Sequence, residues 1–572
     1  MTKRITTRRK RYKHQAKKIA KPQRIAIGRA VGFFVLCVLL AAGVVSRVHF
    51  LDRSVWLDEA WVANSMQAES LRGALYYDAW LQTSPPLFIV LGRFFLYLFG
   101  TSNVALRALP AFSGIIAVFL FSYVALRQLR LNFALLALLM FVFSPQAILY
   151  SQSIKQYSTD VLATIGVLLL GQIYLEKLSH RSFYWLLGGI VVFSFLSYPA
   201  MLFFPFVVFC ALSERDTQSQ VNDRQQSKIH INWPRGALVI ATAAFVSATN
   251  YFLFIAPNKN SALTEFFQEG FYQGSSPAGL LFFLGGQLSS LTEVFFFGGP
   301  GPLRIVALLI TFFGFFCLWA PLKNPSNVKT FQTSLLFTAP FVSVLVLNLF
   351  GVFPLPGFKH RTLLFVFPIT VLVFCLGLQM VAALMGRLLS ATSSVFKATF
   401  VENAFGAIVF FMTAGLVCVF FITVGLTPFF AEEHEDSEEA IAYLKQHAQA
   451  NDVLYVHATM REQFKLYART QWMPASRVFY GRIGVPCCPR KGYRSPQQES
   501  ERDITDEIIA LSKAATERRL WVLMTNRALH WFHVRRNDIE IFERGLAGEG
   551  CQKLQEETFM GVYVAAFGCL HR

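Results

Sequence analysis

Between residue 30 and residue 426 the chain returns again and again to apolar runs of about the length that carries a helix across a bilayer, roughly 20 residues. Hydrophobic residues make up 54% of the 572, and charged residues only 15%. A soluble chain of this size exposes far more charge, so the sequence predicts a mainly α polytopic membrane protein. Spans are expected near 30–46, 104–126, 132–149, 160–175, 183–198, 200–213, 236–255, 303–320, 331–350, 362–380 and 404–426, about eleven in all. The fifth and sixth form a hairpin around Tyr198-Pro199. The run PLFIVLGRFFLYLFG is short and interrupted by Arg93. It reads as an interfacial helix, started by Pro85-Pro86 because proline suits the first helical turn. The piece near 279–297 reads as re-entrant.

Charge sets the orientation. The net charge is +19, but the first 30 residues hold about a dozen Lys and Arg and no acid, and the remainder is near +7. The excess is therefore a basic tail before an apolar segment, which places the N-terminus in the cytoplasm and suits anionic lipid rather than nucleic acid. It is long for the n-region of a signal peptide, and no small-residue cleavage site follows the apolar run. Most remaining basic loops then fall inside and the C-terminus outside. Residues 1–29 are the tail and 30–427 the membrane domain, whose first outer loop is 47–103. From 428 to 572 the composition changes to AEEHEDSEEAIAYLKQHAQANDVLYVH, then LWVLMT and GVYVAAFGCL, a pattern of helix and buried strands. This predicts a small α/β domain on the outer, periplasmic face. It holds four of the nine cysteines, Cys487, Cys488, Cys551 and Cys569; in an oxidising compartment Cys551 and Cys569 suit a disulfide, and CC lacks the CxxC spacing of a zinc site. The sequence contains no P-loop and no GxGxxG, which disfavours an ATP-driven pump.

Three polar sets face outward under this topology. The first is VWLDEAWVA, with Asp58 and Glu59, the one adjacent acid pair among about 14 acids in the first 427 residues. Such a pair beside a bilayer is a functional-site hypothesis; the plainer alternative is that it solvates a loop or caps a helix. The second is YSQSIKQYSTD, with Tyr150, Lys155, Tyr157 and Asp160. The third is PLPGFKHRTLLFVFP, with Lys359, His360 and Arg361. Cations at an outward edge run against the positive-inside trend. They either snorkel to headgroups or hold a lipid-linked phosphate and stabilise it as it leaves. With a polyprenyl-phosphate sugar as donor, the protein needs mainly one base to deprotonate the acceptor hydroxyl. An in-line attack would invert the anomeric centre, whereas a water-using inverting hydrolase would also want a general acid. Asp58 is the base candidate, with Glu59 orienting it or binding sugar or acceptor.

VWLDEAWVA, SPPLFIVLGRFFLYLFGTSNVALRALPA, YSQSIKQYSTDVLA and GFKHRTLLFVFP together resemble the bacterial members of the protein O-mannosyltransferase superfamily. These are GT-C glycosyltransferases related to the enzymes that add aminoarabinose to lipid A. The resemblance covers most of 50–200 and 350–380, and the opening of the outer domain is similar too. It implies that Asp58 is the catalytic residue and that Lys155 and Arg361 hold the donor phosphate. In one place the chain departs from the pattern: where many relatives read YSQEAR or YSQEVK, it reads YSQSIK, with Ser153 replacing the acid.

The expected function is an inverting transfer of sugar from a polyprenyl-phosphate donor to an envelope acceptor (a glycan, a lipid-linked saccharide or a protein hydroxyl) on the periplasmic side of a bacterial inner membrane. Lys155, Arg361, His360, Lys359 and Tyr157 are assigned to the donor phosphate, and Tyr150, Ser84 and Asp160 to sugar or acceptor, with a helix cap as the simpler reading for Ser84. No metal or cofactor is demanded by the sequence, although GT-C relatives acting on pyrophosphate donors use a divalent cation. The outer domain is assigned to acceptor recognition. The acids Glu265, Glu269 and Glu293 belong to a gate over the donor or to a solvated loop. The rivals are a transporter or flippase for lipid-linked sugars, which would place charge near the bilayer midplane, and a non-catalytic envelope assembly protein.

Overall fold

The computed structural model describes residues 30–77, 83–215, 229–258, 267–274, 276–295, 301–320, 328–355, 360–392, 398–423, 435–468, 472–481, 501–525 and 538–569. It is a polytopic helical bundle with a small sheet domain after it. Seven described helices are long and apolar enough to cross a membrane: Ala30–Val48, Asn103–Gln128, Tyr157–Lys177, Trp233–Asn258, Lys329–Leu349, Arg361–Ala391 and Ala398–Gly415. Taken together, the bent pair Leu131–Val142 and Pro145–Ser151, which turn 53° from one another, is long and apolar enough for one broken span or a re-entrant loop. Three expected spans fall on the shorter apolar helices His180–Leu196, Tyr198–Leu212 and Arg304–Trp319. The piece expected to re-enter forms a helix, Pro277–Phe295.

We label α1 Ala30–Val48, α2 Leu57–Met66, α3 Leu71–Leu75, α4 Pro86–Phe99, α5 Asn103–Gln128, α6 Leu131–Val142, α7 Pro145–Ser151, α8 Tyr157–Lys177 and α9 His180–Leu196. The break between α6 and α7 has a local cause. Pro145 supplies no amide to continue α6, and the Ser144 side chain instead accepts from Ala147 N to start a new helix. At Tyr198-Pro199 the expected hairpin turns through a 3-10 segment, Tyr198–Phe203. The bundle core gathers around α5, α6 and α8, with Phe121, Phe141 and Phe367 stacked in series. Gly114 lets α5 approach closely. A Cβ there would lie 2.6 Å from the Ser151 Cβ and 3.2 Å from both the Arg47 Cδ and the Ser158 Oγ. The buried Arg47, at the end of α1, donates to the Val142 carbonyl (3.3 Å) and the Phe141 carbonyl (3.4 Å), where α6 presents unpaired acceptors.

Two short strands, β1 (Ser213–Arg215) and β2 (Ile229–Ile231), pair antiparallel across the expected polar loop. The C-terminal domain is the expected α/β unit. Its strands are β3 (Val453–Val456), β4 (Val478–Tyr480), β5 (Arg519–Thr525), β6 (Cys551–Phe559) and β7 (Val562–Cys569), in spatial order β4-β3-β5-β7-β6. β3 pairs parallel with β4 and β5, and β7 pairs antiparallel with β5 and β6. Every residue of β3 is buried, as a strand covered on both faces requires. Val453 and Tyr455 pack with Ile508, Leu511 and Phe542 on one side, and Leu454 and Val456 with Ile441, Leu444 and Phe464 on the other. The edge strand β6 is exposed and carries Lys553, Glu556 and Glu557, charges that discourage further strand pairing. Cys551 and Cys569 face each other across β6 and β7 and are joined by a disulfide, as expected. Cys487 and Cys488 lie outside the described residues.

Candidate active site

The DEAW stretch is not a solvated loop. α2 begins at Leu57, so Asp58 and Glu59 occupy its first turn, where carboxylates suit the helix dipole. Val55, Trp56, Leu57, Ala60, Trp61, Val62 and Ala63 are all buried. One wall is the bundle: a separate apolar core joins Val55, Ala60, Ala63 and Met66 to Phe88 and Ile89 of α4, Leu106 and Leu109 of α5, and Ile154. The other wall is the C-terminal domain. Tyr467 Oη accepts from Val55 N at 2.8 Å, Ser437 Oγ donates to Val55 O at 2.9 Å, and Ser54 Oγ donates to Glu439 Oε2 at 2.6 Å. Further along α2, Asn64 donates to the Glu462 carbonyl at 2.9 Å.

Neighbouring residues on a helix point about 100° apart, and the two acids take different partners. Glu59 is fully buried. Arg107 donates to it twice, Nε to Oε1 at 3.1 Å and Nη2 to Oε2 at 2.6 Å, and Ile154 N donates to Oε1 at 2.7 Å. Arg53 adds an ion pair at 3.7 Å. The other donors of Arg107 go to the carbonyls of Leu51 (3.0 Å), Arg53 and Ser54 (3.1 Å). All five guanidinium N–H groups are thereby used. Burial pushes the Glu59 carboxyl up, but Arg107 and Arg53 more than reverse this and hold it below the usual range. Glu59 fastens residues 51–54 and the Ile154 turn to α5. It is a keystone of the loop, not a group with room for a substrate.

Asp58 has different company. Arg361 Nη1 donates to its Oδ2 at 3.1 Å, and Lys155 Nζ lies 3.5 Å from the same oxygen. Lys155 is positioned by the turn between α7 and α8, Arg361 by the 3-10 segment His360–Val366 that leads into the helix Phe367–Thr392. Three segments far apart in sequence thus bring one carboxylate and two cations together. The Asp58 side chain is 15% exposed, against 0% for Glu59, so of the two acids Asp58 is the one that stays partly open. Burial raises its carboxyl pKa, and the Lys155 and Arg361 charges outweigh burial and hold it below the usual range.

The remaining expected residues divide. Tyr150 and Tyr157 pack edge to face at 4.8 Å across the Lys155 turn. Ser84 does not cap α4: Pro85 takes the N-cap position, leaving Ser84 one residue too early to reach the free amides, and its Oγ is buried with no hydrogen-bond partner among the described residues. Asp160, one turn into α8, is buried beside Ser197 and Tyr198, and Tyr198 Oη donates to the Ser84 carbonyl at 3.1 Å. Ser84 and Asp160 therefore share a neighbourhood through Tyr198. Lys359 and Glu265 lie outside the described residues, as do the side chains of His360, Glu269 and Glu293. Ser153, which replaces an acid, accepts from Arg53 Nη2 at 3.3 Å and donates to the Leu149 carbonyl at 2.8 Å. Among the described residues no three His, Cys, Asp or Glu side chains gather as a metal site.

Sequence reasoning passed over Arg53 and Arg107. Arg107 carried a usable signal, a lone ionisable residue near the start of an apolar span, which calls for a named partner.

The sequence matches no family model and no curated protein. Among solved structures, ArnT from Cupriavidus metallidurans in the apo state is similar over 95% of this chain and 98% of its own, at 14% identity and a TM-score of 0.48. For ArnT bound to undecaprenyl phosphate the figures are 94%, 98%, 14% and 0.46. The archaeal oligosaccharyltransferase AglB from Archaeoglobus fulgidus, in complex with an inhibitory peptide and a dolichol-phosphate, is similar over 94% of this chain and 74% of its own, at 11% identity and a TM-score of 0.45.

Proposed function

We propose that this protein is an inverting membrane glycosyltransferase that moves a sugar from a polyprenyl-phosphate donor to an acceptor hydroxyl of the cell envelope, on the periplasmic side of a bacterial inner membrane. The observation that carries the reading is the convergence of Asp58, Lys155 and Arg361. Asp58 takes the acceptor proton as the hydroxyl oxygen bonds to the anomeric carbon. The bond from that carbon to the phosphate oxygen breaks, and the electron pair leaves with the polyprenyl phosphate. Lys155 and Arg361 hold the phosphate and stabilise the charge it gains. A phosphate seated there shares both cations with Asp58, which loosens their hold on the carboxylate and raises its basicity. Charge neutralisation by these two side chains leaves no step that requires a metal, so chelation by EDTA is expected to leave turnover unchanged.

Asp58, Lys155 and Arg361 stand at the ends of helices (the first turn of α2, the turn before α8 and the 3-10 segment His360–Val366) rather than along the middle of the spans, which supports surface chemistry over transport. The test is Asp58→Asn in the native host. Polyprenyl-phosphate sugars are expected to accumulate while one envelope glycan or glycosylated product disappears, with the protein at its normal level. Unchanged donor and product pools at that level would overturn the proposal.

A further inference from the structure

The α2 helix begins without a cap of its own: Trp56 occupies the N-cap position, and its indole, which has no acceptor to offer, makes no capping hydrogen bond. The missing acceptor comes from the C-terminal domain. Glu435 is buried, 4% exposed, and its Oε2 accepts from the backbone N–H of Leu57 at 3.3 Å, the first helical residue and the one before Asp58. The same oxygen accepts from Gln463 Nε2 at 2.7 Å, and Oε1 lies 3.2 Å from Thr525 Oγ1, whose hydroxyl reaches the Gly561 carbonyl at 2.7 Å. Thr525 ends β5, and at the same end of the sheet the amide of His457, just past β3, donates to the Leu523 carbonyl at 2.9 Å. The carboxylate thus sits over the ends of the parallel strands and is fixed by two elements of its own domain before it touches α2.

Resting on the transfer reading above, we propose that Glu435 is a positioning residue for Asp58. The C-terminal domain supplies the N-terminal cap of the catalytic helix, and so fixes the first turn that aims the base between Lys155 and Arg361. A carboxylate at this position satisfies an otherwise orphaned amide and complements the helix dipole. The chemistry also specifies which substitution is tolerated. In Glu435→Gln the amide oxygen can still accept from Leu57 and Gln463, while the new N–H donates to Thr525 Oγ1, which keeps its own bond to Gly561. Glu435→Ala offers none of these.

The experiment uses the full chain and two readouts. Hydrogen exchange of the amides from 57 to 60 is expected to rise about tenfold in Glu435→Ala, the order of a lost cap, with the β3 and β5 amides still protected. In the host, Glu435→Ala is expected to reproduce the donor accumulation of Asp58→Asn, and Glu435→Gln to restore both exchange protection and product. Should Glu435→Ala fail to accumulate, Glu435→Met fills the same volume without an acceptor and takes its place. Unchanged exchange at 57–60 overturns the cap. Raised exchange with normal donor and product pools overturns the positioning role while leaving the transfer reading intact. If Asp58→Asn itself leaves the pools unchanged, the transfer reading falls and the role of Glu435 in it falls too.

Discussion

Asp58 and Glu59 are chemically alike and adjacent, yet their surroundings give them opposite duties. Glu59 has two arginines and a backbone amide and is closed to solvent. Its loss should therefore register in stability. Glu59→Gln leaves Arg107 and Arg53 buried without their charge partner, a change of the kind that costs about 3–5 kcal/mol. The melting temperature of the purified protein should fall by several degrees, and turnover per folded molecule should hold. Asp58→Asn should do the reverse, within a few degrees of the wild-type melting temperature but without turnover. The pH dependence follows from the same surroundings. Both carboxyls are held below their ordinary range in the folded state. Their contribution is therefore fully present above the unfolded values of about 3.9 and 4.3 and is lost as pH falls through the folded ones. Thermal stability should be level from about pH 5 to pH 8 as far as these groups decide it, and should drop below about pH 4. A stability inflection near pH 6 that disappears in Glu59→Gln would contradict the assignment.

At the scale of elements, the site depends on how closely α5 approaches α7 and α8, because the turn after α7 carries Lys155. Gly114 is the contact point, and the atom a side chain there would meet is the short, inflexible Ser151 Cβ at 2.6 Å. Gly114→Val should cost about 1–3 kcal/mol by overpacking and should displace the Lys155 turn. Fluorescence-detected thermal melting and host complementation would both register it. The elements themselves were largely legible in the sequence, because an apolar run of about 20 residues has few alternatives to a helix. The bend at Ser144-Pro145 was not, since the hydropathy of 132–149 continues through it. The site was legible in part. Asp58, Lys155 and Arg361 stood in recognisable stretches and do converge. The partner of Glu59 was hidden because Arg107 lies 48 residues away, and pairing across that distance is decided by packing alone. The helix-cap alternative for Ser84 fails for a local reason: Pro85 shifts the cap position by one residue.

For the molecule as a whole, the C-terminal domain is part of the apparatus around Asp58 and not an appendage. Glu435, Ser437, Glu438, Glu439 and Tyr467 all bond to residues 54–57 or to Asn103. The acidic opening of that domain was visible as a change of composition, but its docking on the first loop was not, since the Leu57–Glu435 contact spans 378 residues. The central claim is that Asp58 and the two cations form one site for a lipid-linked phosphate. Its most direct test is titration of the purified protein with undecaprenyl phosphate, comparing wild type with Lys155→Ala, Arg361→Ala and Asp58→Asn. Loss of a charge-assisted hydrogen bond should weaken binding about tenfold or more for each cation variant. Asp58→Asn, which removes the competing anion, should bind at least as tightly as wild type. Equal affinity in all four proteins would contradict the account.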